Sequence, residues 1–342
     1  SSSPISRLMP VQPAAMEGRF LAQWDKDSCE DARVVKIDFL ALGMLSLVEE
    51  CLELIAKAGK PPVDLSRIDF EDPLIYQMIN EGDTIGVFQI ESRAQIQMLP
   101  RTRPKKLEDL VVQVAIVRPG PIIGGAVKPY VEHRQRERTS FLPVEPHYDH
   151  PSLIEVLKET HGVILYQEQV VQVAMALSGF SAGQADSLRR AMTRKRSAEA
   201  MLKMWDEFRD GAKARGIQVE TARTVFRKLQ GFASYGFPKA HAVAFAVLAF
   251  QSCWLKYYYP AEFLCALINN QPMGFYPNHV LINDAKRHGQ RVLGPDIELS
   301  SLRCTVENGK IRIGIGYVQG MGEETARHVV LERIANGPYR SL

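Results

Sequence analysis

Apolar and polar positions alternate through "VVKIDFL", residues 34–40. Val35, Ile37 and Phe39 fall on one face and Lys36 and Asp38 on the other, which is the two-residue period of a strand. The period then lengthens. In "LSLVEECLELIAKAG" Leu47, Val48, Cys51, Leu52 and Ile55 recur at helical spacing, and Gly59 with Pro61 closes the helix. From about residue 66 to 270 the pattern is mostly helical, punctuated by "NEGD" (80–83), "RPGP" (118–121) and "PVEPHYDHP" (143–151). In "YQEQVVQVAMALSG" Val170, Val173, Ala174 and Leu177 share a face, and just beyond it Ser181 and Gln184 have the spacing of a capping pair. The run "AVAFAVLAFQSCWL" (242–255) is interrupted by Gln251 and followed by Lys256; it is too short to span a membrane and reads as a buried helix. After Gln271, "QPMGFYPN" is a connector, followed by a short helix over 280–288, strands over 302–306 and 310–315, and a glycine-punctuated end. The fold class expected is mainly α with a small β component.

A chain of 342 residues has room for two or three domains. With a net charge of only +3, any basic surface has to be local. Five scattered cysteines without a C-x-x-C pair argue against structural zinc and a disulfide framework, and fit a reducing cytosol. The first ten residues lack a signal-peptide pattern. Too little precedes Val34 to make a domain, so the expectation is a chain cut from something longer.

Several stretches carry polar groups that could do chemistry. Asp38 stands alone on its strand and reads either as a solvated partner of Lys36 or as a metal ligand. "SLRRAMTRKR" (187–196) gathers Arg189, Arg190, Arg194, Lys195 and Arg196 beside one acid, Asp186, with Leu188 and Met192 toward the core. That is either a solvated face with an Asp186–Arg190 pair or an anion site suited to phosphate oxygens. In "SYGFPKAHAVAFA" (234–246) a turn opens the apolar helix, with Lys239 and His241 at its positive end and Tyr235 placed to stack on a base or to plug the core. "GVFQIESRAQ" (86–95) clusters Gln89, Glu91, Ser92 and Arg93, and "RPGP" reads as a rigid turn with Arg118 as its polar member. "GIGYVQGMG" (314–322) ahead of a helix has the shape of a helix-hairpin-helix turn, whose N–H groups bind phosphates, although a tight core-packed turn fits the pattern better.

Together, "VVKIDFLALG", "GVFQIESRAQ", "VRPGP", "HGVILYQEQV", "LSGFSAGQADSLRRAM" and "YGFPKAHAVAFAVLAFQSCWLKYYYPAEFLCALI" resemble, in order and spacing, the bacterial C-family DNA polymerases, the alpha subunit of DNA polymerase III and its relatives. "SRAQIQMLPRTRP" and "NNQPMGFYPNHVLINDAKRHG" are more similar to the error-prone, damage-associated branch than to the replicative subunit. The resemblance implies a nucleotidyltransferase-type palm ending at 1–58, helical fingers at 59–270 and the start of a helix-hairpin-helix region at 271–342, with other domains outside the chain. It also implies primer extension with dNTPs by two-metal nucleotidyl transfer. Asp38 is then one of three carboxylates holding Mg2+, and the other two are expected upstream. Lys36, Arg189, Arg190, Lys195, Tyr235, Lys239 and His241 are expected at the nucleotide, and Arg93, Arg118, Arg194, Gly320 and Gly322 at the DNA. A sliding clamp and mutagenesis accessory proteins are the implied partners of the complete protein, with a cytoplasmic location and no membrane. The chain alone is expected to be inactive. A non-catalytic DNA-binding module and a replicative subunit are the competing readings.

Overall fold

The computed structural model describes residues 4–34, 42–193, 198–233 and 237–339. The chain divides into two units, Ser1–Leu42 and Gly43–Leu342. In the first, β1 (Val11–Pro13) pairs antiparallel with β2 (Phe20–Ala22), with Val11 opposite Ala22. A short helix, α1 (Lys26–Asp31), follows, and Asp25 Oδ1 accepts the Ser28 N–H at 2.7 Å over its first turn. Apart from Val34, the strand expected over 34–40 lies outside the described residues, and Lys36 and Asp38 lie there with it.

The second unit opens with α2 (Gly43–Lys57), which buries Met44, Leu47, Cys51 and Ile55. Next come α3 (Pro73–Asn80), capped by Asp72, then α4 (Arg93–Thr102), capped by Ser92, and α5 (Leu107–Ile116). From Asp109 to Ile116 every residue of α5 is buried, so this helix lies inside the core instead of against it. A buried amide relay pins α4 to α5: Gln113 donates to Gln95 Oε1 at 2.7 Å, and Thr102 donates to Gln113 Oε1 at 2.7 Å. "RPGP", expected as a plain turn, instead starts a short helix, α6 (Pro119–Ile123), because Pro119 occupies the first helical position, where its missing N–H costs nothing. Then comes α7 (Val127–Thr139), whose Arg134 donates to the Thr102 and Arg103 carbonyls and to Asp109.

Beyond a one-turn helix, α8 (Ile154–Leu157), four helices build a second core: α9 (Gln167–Ser178), α10 (Ala182–Thr193), α11 (Ala198–Ala214) and α12 (Val219–Ala233). Val170, Val173, Ala174 and Leu177 all face it, as their spacing predicts. Ser181 and Gln184 cap α10 reciprocally: Ser181 N–H to Gln184 Oε1 at 3.0 Å and Gln184 N–H to Ser181 Oγ at 3.3 Å. The apolar run lies within α13 (Lys239–Tyr258), which packs on α5 in the first core through Ala242, Ala246, Ala249, Phe250 and Cys253. No helix among the described residues is long and apolar enough to cross a membrane.

The remainder gathers around α14 (Pro260–Asn269), which is buried from Ala261 to Ile268 and packs on α2. Then come α15 (Asn278–Arg287) and a three-stranded sheet in the order β3 (Val292–Leu293), β5 (Lys310–Arg312), β4 (Thr305–Glu307). The strands are shorter than the expected 302–306 and 310–315, and β3, parallel to β5, has no counterpart in the pattern. The last helix is α16 (Glu323–Asn336).

Candidate functional site

Four segments distant in sequence converge at the start of α13. Phe237 forms a parallel bridge with Tyr166, and the Gln167 N–H donates to the Phe237 carbonyl at 3.2 Å. This tie fixes the Phe237 ring beside Arg118, whose guanidinium carbon lies 3.7 Å from the ring centroid. Arg118 also donates to Gln89 Oε1 at 3.0 Å and to the Val114 carbonyl at 3.3 Å. Gln89 has a left-handed backbone, with φ at 67°. Among the described residues Arg118 therefore has only neutral partners, and its partial burial lowers its affinity for the proton. A half-buried guanidinium without a carboxylate is costly unless an anion completes it.

Lys239 and His241 sit on the same helix start. The helix end expected to bind an outside anion already has an internal one: the Lys239 N–H lies 3.2 and 3.1 Å from the two oxygens of Glu168. The Lys239 ammonium pairs with Glu159 at 2.5 Å. His241 meets the Phe237 ring edge-on, at 5.0 Å between ring centroids, and the Phe245 ring at a tilt, at 4.0 Å. Neither glutamate carried a readable signal, because each is a lone acid whose partner lies 71 or 80 residues away. Tyr235, expected to stack, lies outside the described residues. Phe237, two positions on, provides the aromatic platform that the sequence reading missed.

The arginines of α10 form a separate basic place. Asp186 takes both, with Arg189 Nη2 on one oxygen and Arg190 Nε on the other, each at 2.8 Å. The expected Asp186–Arg190 pair is thus part of a three-residue cluster. The Arg189 hydrogen bonds hold the Asp186 carboxyl below the usual carboxylate range. Arg190 stays 69% exposed and can reach a second anion. Arg194 and Lys195 lie outside the described residues. Arg93 is exposed at the first position of α4, with no side-chain partner among the described residues.

At the C-terminal end, Gly320 has φ at +83°, and a Cβ there or at Gly322 would meet nothing within 4 Å. The stretch 314–322 is thus split: Gly314 and Gly316 pack against the backbone of Leu302 and Arg303 beside buried Ile315, as a core-packed turn does, while Gly320 and Gly322 are open. Gly322 caps α16, whose first turn carries Glu323 and Glu324; these acids oppose a phosphate at that helix end.

Close to the first core, Glu91 is buried, and burial pushes its carboxyl up to about 7 against the opposing pull of the Gly86 N–H. A Cβ at Gly274, in the "QPMGFYPN" connector, would lie 2.6 Å from Glu91 Oε1, so only glycine lets the connector pass so close. Tyr276 of the same connector donates to the Glu91 carbonyl at 2.8 Å.

The described residues do not supply the carboxylate set expected for Mg2+. Asp83, Asp284 and His288 come together, but the Lys256 ammonium lies 2.8 Å from Asp83 Oδ1 and 3.8 Å from Asp284 Oδ2, where it supplies the neutralising charge itself. The other grouping, His133, Glu137 and His161, holds a single carboxylate, whereas Mg2+ prefers oxygen ligands.

Comparison with known proteins identifies the family. Residues 44–216 match the bacterial DNA polymerase III alpha subunit finger domain, residues 1–41 the bacterial DNA polymerase III alpha NTPase domain, and residues 289–342 a helix-hairpin-helix motif. A protein of Mycolicibacterium paratuberculosis named error-prone DNA polymerase is 47% identical over 342 residues, covering 99% of this chain and 31% of the relative. Proteins of the same name from Vibrio campbellii and Burkholderia mallei are 44% and 45% identical, covering 100% of this chain and 33% and 34% of theirs. The chain thus spans about a third of the length of these relatives. It belongs to the bacterial DNA polymerase III alpha subunit family.

Proposed function

We propose that the complete protein is a DNA-directed DNA polymerase that extends a primer with dNTPs, and that this chain holds its fingers and the nearby DNA contacts. The observation that carries this reading is Arg118. It is a half-buried cation held by a ring, an amide and a carbonyl, with one charge left to satisfy. A DNA phosphate completes it. Arg190, half free of Asp186, contacts the triphosphate together with Arg189. Lys239 and His241 form the polar edge of the Phe237 platform, facing the incoming nucleotide or the nascent pair. Arg93 at α4, and Gly320 and Gly322 at the open turn, touch the DNA backbone elsewhere.

Asp38, Lys36, Tyr235, Arg194 and Lys195 keep the roles that the resemblance implies, with Asp38 as one ligand of a divalent metal, Mg2+ in this reading. We divide the chain into palm (1–58), fingers (59–270) and helix-hairpin-helix region (271–342). The names of the relatives support error-prone synthesis, which we extend to repair and translesion work in the cytoplasm, with a sliding clamp and mutagenesis accessory proteins as partners. Template-directed primer extension by the complete protein tests the reading; failure to incorporate any dNTP in the presence of Mg2+ would overturn it.

A further inference from the structure

Away from the Arg118 site, α7 and the turn before α9 bring together two imidazoles and a carboxylate that no role above uses. His133 and Glu137 are four residues apart on one face of α7, with His133 Nε2 3.3 Å from Glu137 Oε1. His161 approaches from the turn, its ring centroid 4.5 Å from that of His133. One ligand atom from each of the three residues lies within 4.8 Å of the other two.

The buried His133 ring is satisfied on one nitrogen only. His133 is only 2% exposed, and its Nδ1 has no hydrogen-bond partner. Two imidazoles face each other with no hydrogen bond between them among the described residues, where an apolar pair would pack at lower cost. His161 holds a left-handed backbone, with φ at 52°, which histidine adopts more readily than most residues. Glu137 Oε2 is held by Arg134 at 3.3 Å, which leaves Oε1 toward the histidines. The cations around the site are partly matched: Arg134 pairs with Asp109 at 3.0 Å and Lys228 with Asp149 at 2.6 Å, while Arg136 is exposed. The adjoining cavity, about 210 Å³, has room for a bound water.

We propose that His133, Glu137 and His161 form a binding site for a divalent transition ion of the zinc class, with water in the open position. Two nitrogens and one carboxylate oxygen are a ligand set that Zn2+ accepts. Tetrahedral binding sets ligand atoms about 3.3 Å apart, a spacing that His133 Nε2 and Glu137 Oε1 already have; the remaining approach is that of His161, within the 4.8 Å that spans the three. The site lies where the two helical cores meet. Just after His161, Val163, Leu165 and Tyr166 enter the first core, and Ile164 enters the second. The ion would fasten α7 to that junction, upstream of the strand-like tie between Tyr166 and Phe237.

The test uses Co2+ as a spectroscopic probe on the metal-stripped complete protein, comparing wild type with His161→Asn and Glu137→Gln. Asparagine tolerates the left-handed backbone and Glu137 is at the rim, so both variants keep the fold; matched thermal melting without metal checks this. The expected result is one fewer equivalent of bound Co2+ in each variant, loss of the visible band of a low-coordinate Co2+ site, and a Zn2+-dependent rise in melting temperature in the wild type only. If either variant binds as much Co2+ as wild type with the same band, the site is not where we place it.

Discussion

Replacing Arg118 with glutamine separates a functional charge from a structural one. In the fold Arg118 makes two hydrogen bonds to neutral acceptors and one ring contact, and no described carboxylate depends on it. Glutamine forgoes the ring attraction, about 0.5–2 kcal/mol, and leaves Gln89 Oε1 to water or to the new amide. It also removes a half-buried charge, which offsets part of that loss. The net change in stability is expected to stay within about 1 kcal/mol. The effect on DNA is different. A charged hydrogen bond to phosphate contributes about 1.5–3 kcal/mol, so Kd for primer-template should rise roughly 10- to 150-fold. The slope of log K against log salt should fall by about 1. Fluorescence anisotropy at several salt concentrations, beside urea unfolding, measures both quantities. A loss of several kcal/mol in stability with unchanged DNA affinity would show that Arg118 serves the fold, and would refute the reasoning.

Glu91 gives stability a pH dependence of known sign. Its folded carboxyl sits at about 7 against 4.5 for a free one, so its contribution is full below about 4.5 and is lost as pH rises through 7. The loss is roughly 3 kcal/mol; Glu91→Gln should flatten that part of the profile in denaturant unfolding at pH 5 and pH 8, and an unchanged profile would show a counter-charge near Glu91. Gly274→Ala places a methyl against the same carboxylate and strains a backbone at φ +69°, so it should cost on the order of 1–3 kcal/mol; thermal unfolding equal to wild type contradicts that close approach. Arg190→Ala should raise the apparent KM for dNTP in steady-state primer extension of the complete protein, while Asp186 keeps Arg189 in place; a change in thermal stability alone returns these arginines to a solvated helix face.

Periodic features were readable because burial repeats along a helix. The face Val170–Val173–Ala174–Leu177 and the buried run inside α13 show this, and the Ser181–Gln184 cap was readable because its partners are three residues apart. The candidate site was readable only in part. Arg118, Lys239 and His241 were visible as chemistry, but their surroundings are long-range: Phe237 under Arg118, and Glu168 and Glu159 on Lys239. No periodicity links such pairs. The two-residue strand β3 is too short to show a period, and the packing of α2 against α14 joins segments about two hundred residues apart. "RPGP" misled because proline and glycine mark both turns and helix starts.

The central claim is that this chain serves a metal-dependent nucleotidyl transfer in which Asp38 is a metal ligand. Single-turnover primer extension by the complete protein carrying Asp38→Asn, with DNA affinity measured in parallel, tests it most directly. The account predicts that extension is abolished while primer-template binding stays close to wild type. Near-normal extension by Asp38→Asn would contradict it.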